Sequence, residues 1–140
     1  MNTVVLPDGY RPSEKEGYMS PMQLEYFRQK LLREKEEMEH EVETTLDVLA
    51  TTTNDMSAGG DDADLANDET EKYIELKTRD RARKHIMTID AALNRIANGT
   101  YGYSDISGDP IGLARLDARP VVRMTIEEQE EHEAQEKLYG

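Results

Sequence analysis

The sequence predicts an all-α-dominated protein: a long antiparallel α-helical coiled-coil hairpin with a small globular base and a C-terminal helix. Three observations support this prediction. Apolar residues recur at three- and four-residue steps along two long charge-rich segments, the pair Gly59-Gly60 separates the segments, and aromatic residues lie at their outer ends. Because the linker is short, the two segments are predicted to pack against each other within one chain. Two separate helices in an oligomer are the alternative.

The first helix is predicted to begin at Ser20-Pro21-Met22-Gln23. Serine can cap a helix, proline fits the first helical position, and glutamine three residues after the serine completes a capping box. The predicted apolar seam consists of Leu24, Phe27, Leu31, Met38, Val42, Thr45 and Leu49. Residues 51–54 weaken the helix and the glycines end it. Residues 1–19, which include two prolines, are predicted to form an irregular arm.

The second helix is predicted to restart near Leu65 and to end at Asn98-Gly99, where glycine accepts a left-handed conformation. Its predicted seam consists of Leu76, Ile86, Ile89, Leu93 and Ile96. Each helix would contain about 30 residues and measure roughly 45 Å. The predicted organisation is therefore an arm at 1–19, a hairpin at 20–98 with its tip at 55–66, and a base with a terminal helix at 99–140.

Folding the chain back at the glycines brings two aromatic groups to the same end of the hairpin. Tyr18, Tyr26 and Phe27 precede or begin the first helix, and Tyr101 and Tyr103 follow the second. These side chains are predicted to form the core of the base. A second capping box, from Thr125 to Glu128, is predicted to open the short acidic terminal helix.

The composition restricts the classes of function. The chain has 140 residues, of which 34% are charged and 36% hydrophobic, a net charge of −13, and no cysteine. Disulfides and thiolate metal sites are therefore excluded, and binding to nucleic acid through phosphate neutralisation is disfavoured. No segment approaches the ~20 apolar residues of a membrane span, so a cytoplasmic location is expected. No nucleophile, phosphate-loop or paired-carboxylate motif is present, so we expect no enzyme.

Two charged segments are candidates for binding a partner. The acidic tip contains Asp61, Asp62 and Asp64 but lacks the spacing and glycine of a calcium loop. The basic segment, defined as residues 77–84, contains five basic side chains. It can be a solvated helix face stabilised by pairs such as Glu75–Arg79 and Asp80–Lys84. It can also be a basic collar that docks onto an acidic rim.

A collinear set of motifs resembles the DksA family of bacterial transcription factors over residues 18–135. The motifs are Tyr18-Met19-Ser20, Leu24 with Phe27 and Leu31, Asp61-x-x-Asp64-x-Ala66, Leu76–Lys84, Ile89-Asp90, Asn98-Gly99-x-Tyr101-Gly102-Tyr103, and Gly108–Pro120. No single motif is specific, whereas the combination is. The chain is therefore identified as a zinc-free, cysteine-less member of this family.

The resemblance implies a partner and a mechanism. Members of the family bind RNA polymerase and insert their coiled coil into its secondary channel, where they modulate open-complex stability together with guanosine tetraphosphate in the stringent response. The polymerase-modulating tip residues map to Asp61, Asp64 and Ala66. The polymerase-binding residues map to Arg81 and Lys84. The residues nominated for the alarmone are Arg119 and His85.

The sequence departs from the family pattern at two sites. Members with a zinc finger carry four cysteines, and the matching positions here are Ser104, Ser107, Thr125 and Glu128. These residues do not suit a structural zinc site, so a degenerate, zinc-free turn region is predicted. Two basic positions beside the alarmone are replaced by Thr88 and Gln129, whereas Arg119 keeps its match.

Two other functions remain as alternatives. A channel-binding transcript-cleavage factor, which positions magnesium with tip carboxylates, has the same architecture. A structural acidic coiled-coil interaction module is the second alternative. The tip motif that contains Ala66 and the basic segment favour the regulator over the cleavage factor. We expect the protein to be a monomer that makes no sequence-specific contact with DNA.

Overall fold

The computed structural model describes residues 4–57 and 62–139, and it describes side chains outside 45–46, 48–57 and 62–68. The described chain contains four helices: α1 (Pro21–Ser57), α2 (Asp62–Asn98), α3 (Leu113–Ala118) and α4 (Ile126–Tyr139). The all-α-dominated fold class is thereby confirmed. In the described ranges the only β-type pairing is an isolated bridge between Tyr103 and Pro110, within the turn-rich segment that follows α2.

Both long helices exceed the predicted length, with 37 residues each. After Pro21 neither helix contains proline or glycine, so nothing in its sequence interrupts the backbone hydrogen bonds. Residues 51–54 are helical and α1 continues to Ser57, whereas α2 begins at Asp62 rather than near Leu65. Within the described residues, no helix is long and apolar enough to cross a membrane.

The chain divides into two compact units. The first combines Met1–Leu32 with Ile89–Gly140, and the second consists of Arg33–Thr88. The first unit contains a core of eight buried hydrophobic residues: Met19, Phe27, Leu31, Ile89, Ala92, Tyr101, Ile111 and Leu116. Full burial of one large apolar side chain contributes roughly 1.5–3 kcal/mol, so this core is the main source of stability in the unit.

The aromatic residues meet in the first unit, as predicted. The Phe27 and Tyr101 ring centroids are 5.6 Å apart, and Tyr18 and Tyr103 meet edge to face at 5.5 Å. The Tyr101 hydroxyl donates a hydrogen bond to the Pro120 carbonyl at 2.8 Å. Each tyrosine therefore adds apolar area to the base while its hydroxyl can remain hydrogen-bonded.

The N-terminal arm is held to α1 by Gln23, which is fully buried. Its Oε1 accepts a hydrogen bond from the Met19 N–H at 2.8 Å, and its Nε2 donates to the Ser13 carbonyl at 3.1 Å. The Ser20 hydroxyl accepts the Gln23 N–H at 3.3 Å, as the predicted cap requires. The returning contact of the capping box, however, reaches Met19 rather than Ser20.

In the second unit the helix seam differs from the prediction at one position. Ala82 is buried, and Thr78 and Ile86, four residues to either side, are half-buried. Leu76 is 64% exposed, so its assignment to the seam is wrong. At ~100° per residue, Leu76 lies ~120° around the helix axis from Ala82, which places it outside the seam. The predicted seam residues Thr45 and Leu49 lie outside the described side chains.

Candidate functional site

The predicted tip falls largely outside the described part of the chain. Asp61 lies outside the described residues. Asp64 and Ala66 belong to the first turns of α2, and their side chains lie outside the described set. The functional assignment of all three residues stays a prediction.

The basic segment lies in the middle of α2 and carries the ion pairs expected from its spacing. Arg79 contacts Glu75 at 2.8 Å, and Lys84 contacts Asp80 at 3.0 Å. Arg83 approaches the same Asp80 carboxylate at 3.3 Å. The hydrogen bond from Lys84 is the main cause that lowers the pKa of Asp80. Exposed pairs of this kind contribute little to folding, so the segment remains available to a partner.

The two residues nominated for binding polymerase differ in their surroundings. The Lys84 side chain is 73% exposed and shares Asp80 with Arg83. Arg81 is exposed and, in the part of the chain that the structure describes, has no ion-pair partner. Residues 77–84 contain five basic side chains against Asp80 alone, which gives +4, whereas the whole chain has a net charge of −13. The segment is therefore a local positive surface on an acidic protein.

His85, nominated for the alarmone, already has a partner within the second unit. Its Nε2 lies 3.0 Å from Oε1 of Glu34 on α1. This contact joins residues early in the unit's α1 part to residues late in its α2 part, as antiparallel pairing requires. The hydroxyl of Thr88, the residue that the resemblance aligns with a basic side chain, donates to the His85 carbonyl at 2.7 Å.

Arg119 lies in the first unit, immediately after α3, and is exposed. Its backbone N–H donates to the Arg115 carbonyl at 2.9 Å and so ends the helix. Arg119 and His85 belong to different compact units, and each is described only within its own unit.

The four positions that match the family's zinc ligands converge in the first unit. Ser104 is buried, and its hydroxyl oxygen accepts hydrogen bonds from the N–H groups of Ile106 at 3.0 Å and Ser107 at 3.2 Å. The predicted capping box is present: Glu128 accepts the Thr125 N–H at 2.8 Å, and Thr125 accepts the Glu128 N–H at 3.2 Å. These contacts form a tight turn at residues 104–107 and cap the start of α4.

Glu128 links the two halves of this cluster. The pKa of Glu128 is lowered to about 2, and the largest cause is a hydrogen bond from Ser104. The hydrogen bond from the Thr125 N–H is the next largest cause, and Ser107 contributes as well. The donor set consists of three hydroxyl groups and one carboxylate, whereas structural zinc sites use thiolate and imidazole. The residues therefore do not fit a structural zinc ion. Direct hydrogen bonds join the positions that metal ligands occupy in zinc-finger members.

Sequence reasoning missed a polar contact between α1 and α3. Asp117 accepts hydrogen bonds from the Tyr26 hydroxyl at 2.6 Å and from the Lys30 ammonium at 2.7 Å. Lys30 is the largest cause that lowers the pKa of the Asp117 carboxyl, followed by Tyr26. The six-residue helix α3 that positions Asp117 was also missed. Its only local signal is the glycine that precedes it.

Comparisons with known proteins give consistent results. Residues 23–96 match the family model described as the N-terminal domain of DnaK suppressor protein DksA. The chain is 50% identical over 130 residues to the RNA polymerase-binding transcription factor DksA of Caulobacter vibrioides, covering 93% of this chain and 89% of that protein. It is 34% identical over 119 residues to the DksA of Escherichia coli, covering 84% and 76% respectively.

A solved structure is also similar. Transcription factor DksA2 from Pseudomonas aeruginosa aligns with a TM-score of 0.74 and 37% identity, over 86% of this chain and 90% of that chain. The similarity therefore extends beyond the 23–96 segment to the base of the first unit, where the four polar positions lie.

Proposed function

The chain belongs to the DksA family, and from this premise we propose that it regulates transcription by binding RNA polymerase. The observation that carries the proposal is the 50% identity, over 93% of this chain, with a relative named for binding that enzyme. The protein acts without catalysing a reaction, as a monomer and without sequence-specific contacts to DNA. Its effect comes from altering the enzyme to which it binds.

The basic segment anchors the protein to polymerase in this proposal. Arg81 is exposed and unpaired within the described residues, and Lys84 shares the Asp80 carboxylate with Arg83. Both can therefore form charge-assisted contacts with an acidic rim of the enzyme at little cost in broken intramolecular pairs. Electrostatic complementarity of this kind steers association and fixes the register of the complex.

The tip acts inside the secondary channel. Asp61 and Asp64 bring negative charge to the region through which nucleotides reach the catalytic centre, and Ala66 is the third residue assigned to the tip. Charge in a confined, poorly solvated site acts far more strongly than on an exposed surface. The tip thereby modulates the stability of open promoter complexes.

Guanosine tetraphosphate is the proposed effector, with Arg119 and His85 as its contacts. Arg119 is exposed and suited to phosphate, because guanidinium binds phosphate in a bidentate manner. His85 contacts Glu34 in the free chain, so in this proposal the nucleotide competes with Glu34 for His85. Weaker binding of the nucleotide by the polymerase complex of Arg119→Ala than by that of the unaltered chain tests this assignment.

The first experiment measures binding to RNA polymerase by competition. Arg81→Ala should weaken binding several-fold, since removal of an interface charge lowers affinity. It should leave thermal unfolding nearly unchanged, because an exposed helical arginine contributes little to stability. Arg33→Ala, which removes another exposed arginine of the same unit, is the matched control. Equal affinity for all three proteins would identify the basic segment as a solvated face.

The second experiment separates binding from regulation. Asp64→Asn keeps the size of the side chain but removes its charge. We expect this variant to compete for polymerase normally while its effect on the decay of open promoter complexes is lost. Full regulatory activity would contradict the electrostatic role of the tip. Transcript cleavage in a stalled polymerase complex would instead support the cleavage-factor alternative.

A further inference from the structure

The end of α2 carries a half-buried cation whose hydrogen bonding is incomplete. Arg95 lies in the last turn of the helix and is half-buried. Its carbonyl accepts hydrogen bonds from the N–H groups of Thr100 at 2.9 Å and Tyr101 at 3.2 Å, which hold the turn that leads into the base. Within the described chain, the Nη2 atom of its guanidinium group is buried and has no hydrogen-bond acceptor. This donor therefore lacks the partner that normally offsets the cost of burial.

A second arginine acts on Arg95 and increases this cost. Burial is the largest cause that lowers the pKa of the Arg95 guanidinium, and the positive charge of Arg123 is the next. The Asp105 carboxylate and Tyr101 act in the opposite direction but do not reverse the shift. Because a guanidinium group remains protonated in proteins, the repulsion between the two cations is relieved by an anion and not by loss of a proton.

The Asp105 carboxylate is already bound by Arg123. The Nε atom of Arg123 donates to Oδ2 of Asp105 at 2.6 Å, and the Asp105 N–H donates to the Arg123 carbonyl at 2.9 Å. The side-chain bond uses Nε, so it leaves the two terminal nitrogens of Arg123 for another acceptor. The Arg123 side chain is 62% exposed, which makes it accessible from solvent. Two cations therefore share one carboxylate at a position that a small anion can reach.

We propose that Arg95 and Arg123 form a binding site for a phosphate group on the free protein. A phosphate dianion supplies the negative charge that Asp105 alone does not, and its several oxygens can accept hydrogen bonds from both guanidinium groups while Asp105 keeps Nε of Arg123. A shift of the exposed Arg123 side chain toward the anion opens Nη2 of Arg95 to it. The site requires no polymerase and uses neither the basic segment nor the residues assigned above to the alarmone.

The test measures thermal unfolding of the full chain, without polymerase, at increasing concentrations of inorganic phosphate. Chloride keeps the ionic strength constant, so general screening does not contribute to the change. Tm should rise toward saturation, because a ligand that binds only the folded chain stabilises it. Arg95→Gln and Arg123→Gln should each weaken the affinity for phosphate about ten-fold. Arg11→Gln, which removes another exposed arginine of the same compact unit, is the matched control.

Asp105→Asn provides a measurement that a purely structural role of the arginines would not change. This variant removes the carboxylate that competes for Arg123, so its affinity for phosphate should increase several-fold. Pyrophosphate and a nucleoside monophosphate, titrated in the same way, identify the form in which the phosphate is carried. Saturable binding of all three compounds would show that the phosphate group itself is recognised.

Four results would overturn the inference. The first is a Tm that responds to phosphate no more than to chloride, and the second is a response of both glutamine variants equal to that of the unaltered chain. The third is an equal loss of affinity in Arg11→Gln, which would indicate general attraction of anions. The fourth is an unchanged affinity in Asp105→Asn. Since the assay contains no polymerase, the proposed function stands or fails separately.

Discussion

Gly102 is the position at which the base should be most sensitive to a single methyl group. It has a φ of +93°, and a Cβ atom placed there would lie 2.7 Å from both Cγ and Sδ of Met19. Its carbonyl accepts hydrogen bonds from the Tyr18 hydroxyl at 2.7 Å and the Ile111 N–H at 2.8 Å. Because both hydrogen bonds hold the Gly102 carbonyl, the backbone at Gly102 cannot move away from Met19 without disturbing them.

Two effects therefore add in Gly102→Ala. An alanine at this positive φ costs about 1–2 kcal/mol of backbone strain. Forcing the new methyl group against Met19, which is buried and itself at a φ of +54°, costs about 1–3 kcal/mol more. The free energy of unfolding should fall by about 2–5 kcal/mol in total.

Gly108→Ala is the matched control. Gly108 has a φ of +78°, but nothing lies within 4 Å of a Cβ atom placed there. This variant should show the strain alone, about 1–2 kcal/mol. Urea denaturation followed by the near-ultraviolet signal of the tyrosines measures both variants, since four tyrosines contribute to this core and its immediate shell. The double variant Met19→Ala with Gly102→Ala should lose less stability than the sum of the two single variants, because the new methyl group no longer collides with Met19.

Equal destabilisation by the two glycine variants would refute this reasoning. It would mean that Met19 can move aside freely and that the close approach to Gly102 is not a constraint. A double variant whose stability loss equals the sum of the single losses would refute it independently.

Three further predictions concern the polar cluster that replaces metal ligands. The pKa of Glu128 is lowered to about 2 in the folded chain, so its stabilising contribution is complete above its ordinary pKa of 4.5 and is lost as the pH falls toward 2. Glu128→Gln should therefore lower Tm at neutral pH, and the gap to the unaltered chain should close over that acid range, whereas Glu130→Gln on the same helix should change little. Thr125→Ala should lower the free energy of unfolding by about 1 kcal/mol through loss of a helix cap, and no change would mean that the cap is dispensable. Treatment with a chelator should leave Tm unchanged, and stoichiometric zinc in the purified protein would contradict a metal-free base.

Local patterns in the sequence determined the elements and many of their contacts. Residues 62–98 lack glycine and proline, so the second long segment could be predicted as helix before its packing was known. The Thr125–Glu128 capping box and the Glu75–Arg79 and Asp80–Lys84 pairs join residues three or four positions apart, and all three are present. Such contacts depend only on helix geometry, which the sequence encodes within one turn.

Tertiary structure decided the contacts between distant segments. Lys30 and Asp117 are 87 residues apart in sequence, and neither has a local feature that indicates the other. The convergence of Ser104 with Glu128 depends on where the turn after α2 and the start of α4 are placed by the core around Leu116. Leu76 shows what sequence periodicity leaves undecided. Its distance of ten residues from Ile86 is a sum of three- and four-residue steps and so predicted a place in the seam, but Leu76 is 64% exposed. Helical periodicity specifies which residues share a face, but only packing against α1 decides which face is buried, since burial depends on the partner that the fold supplies.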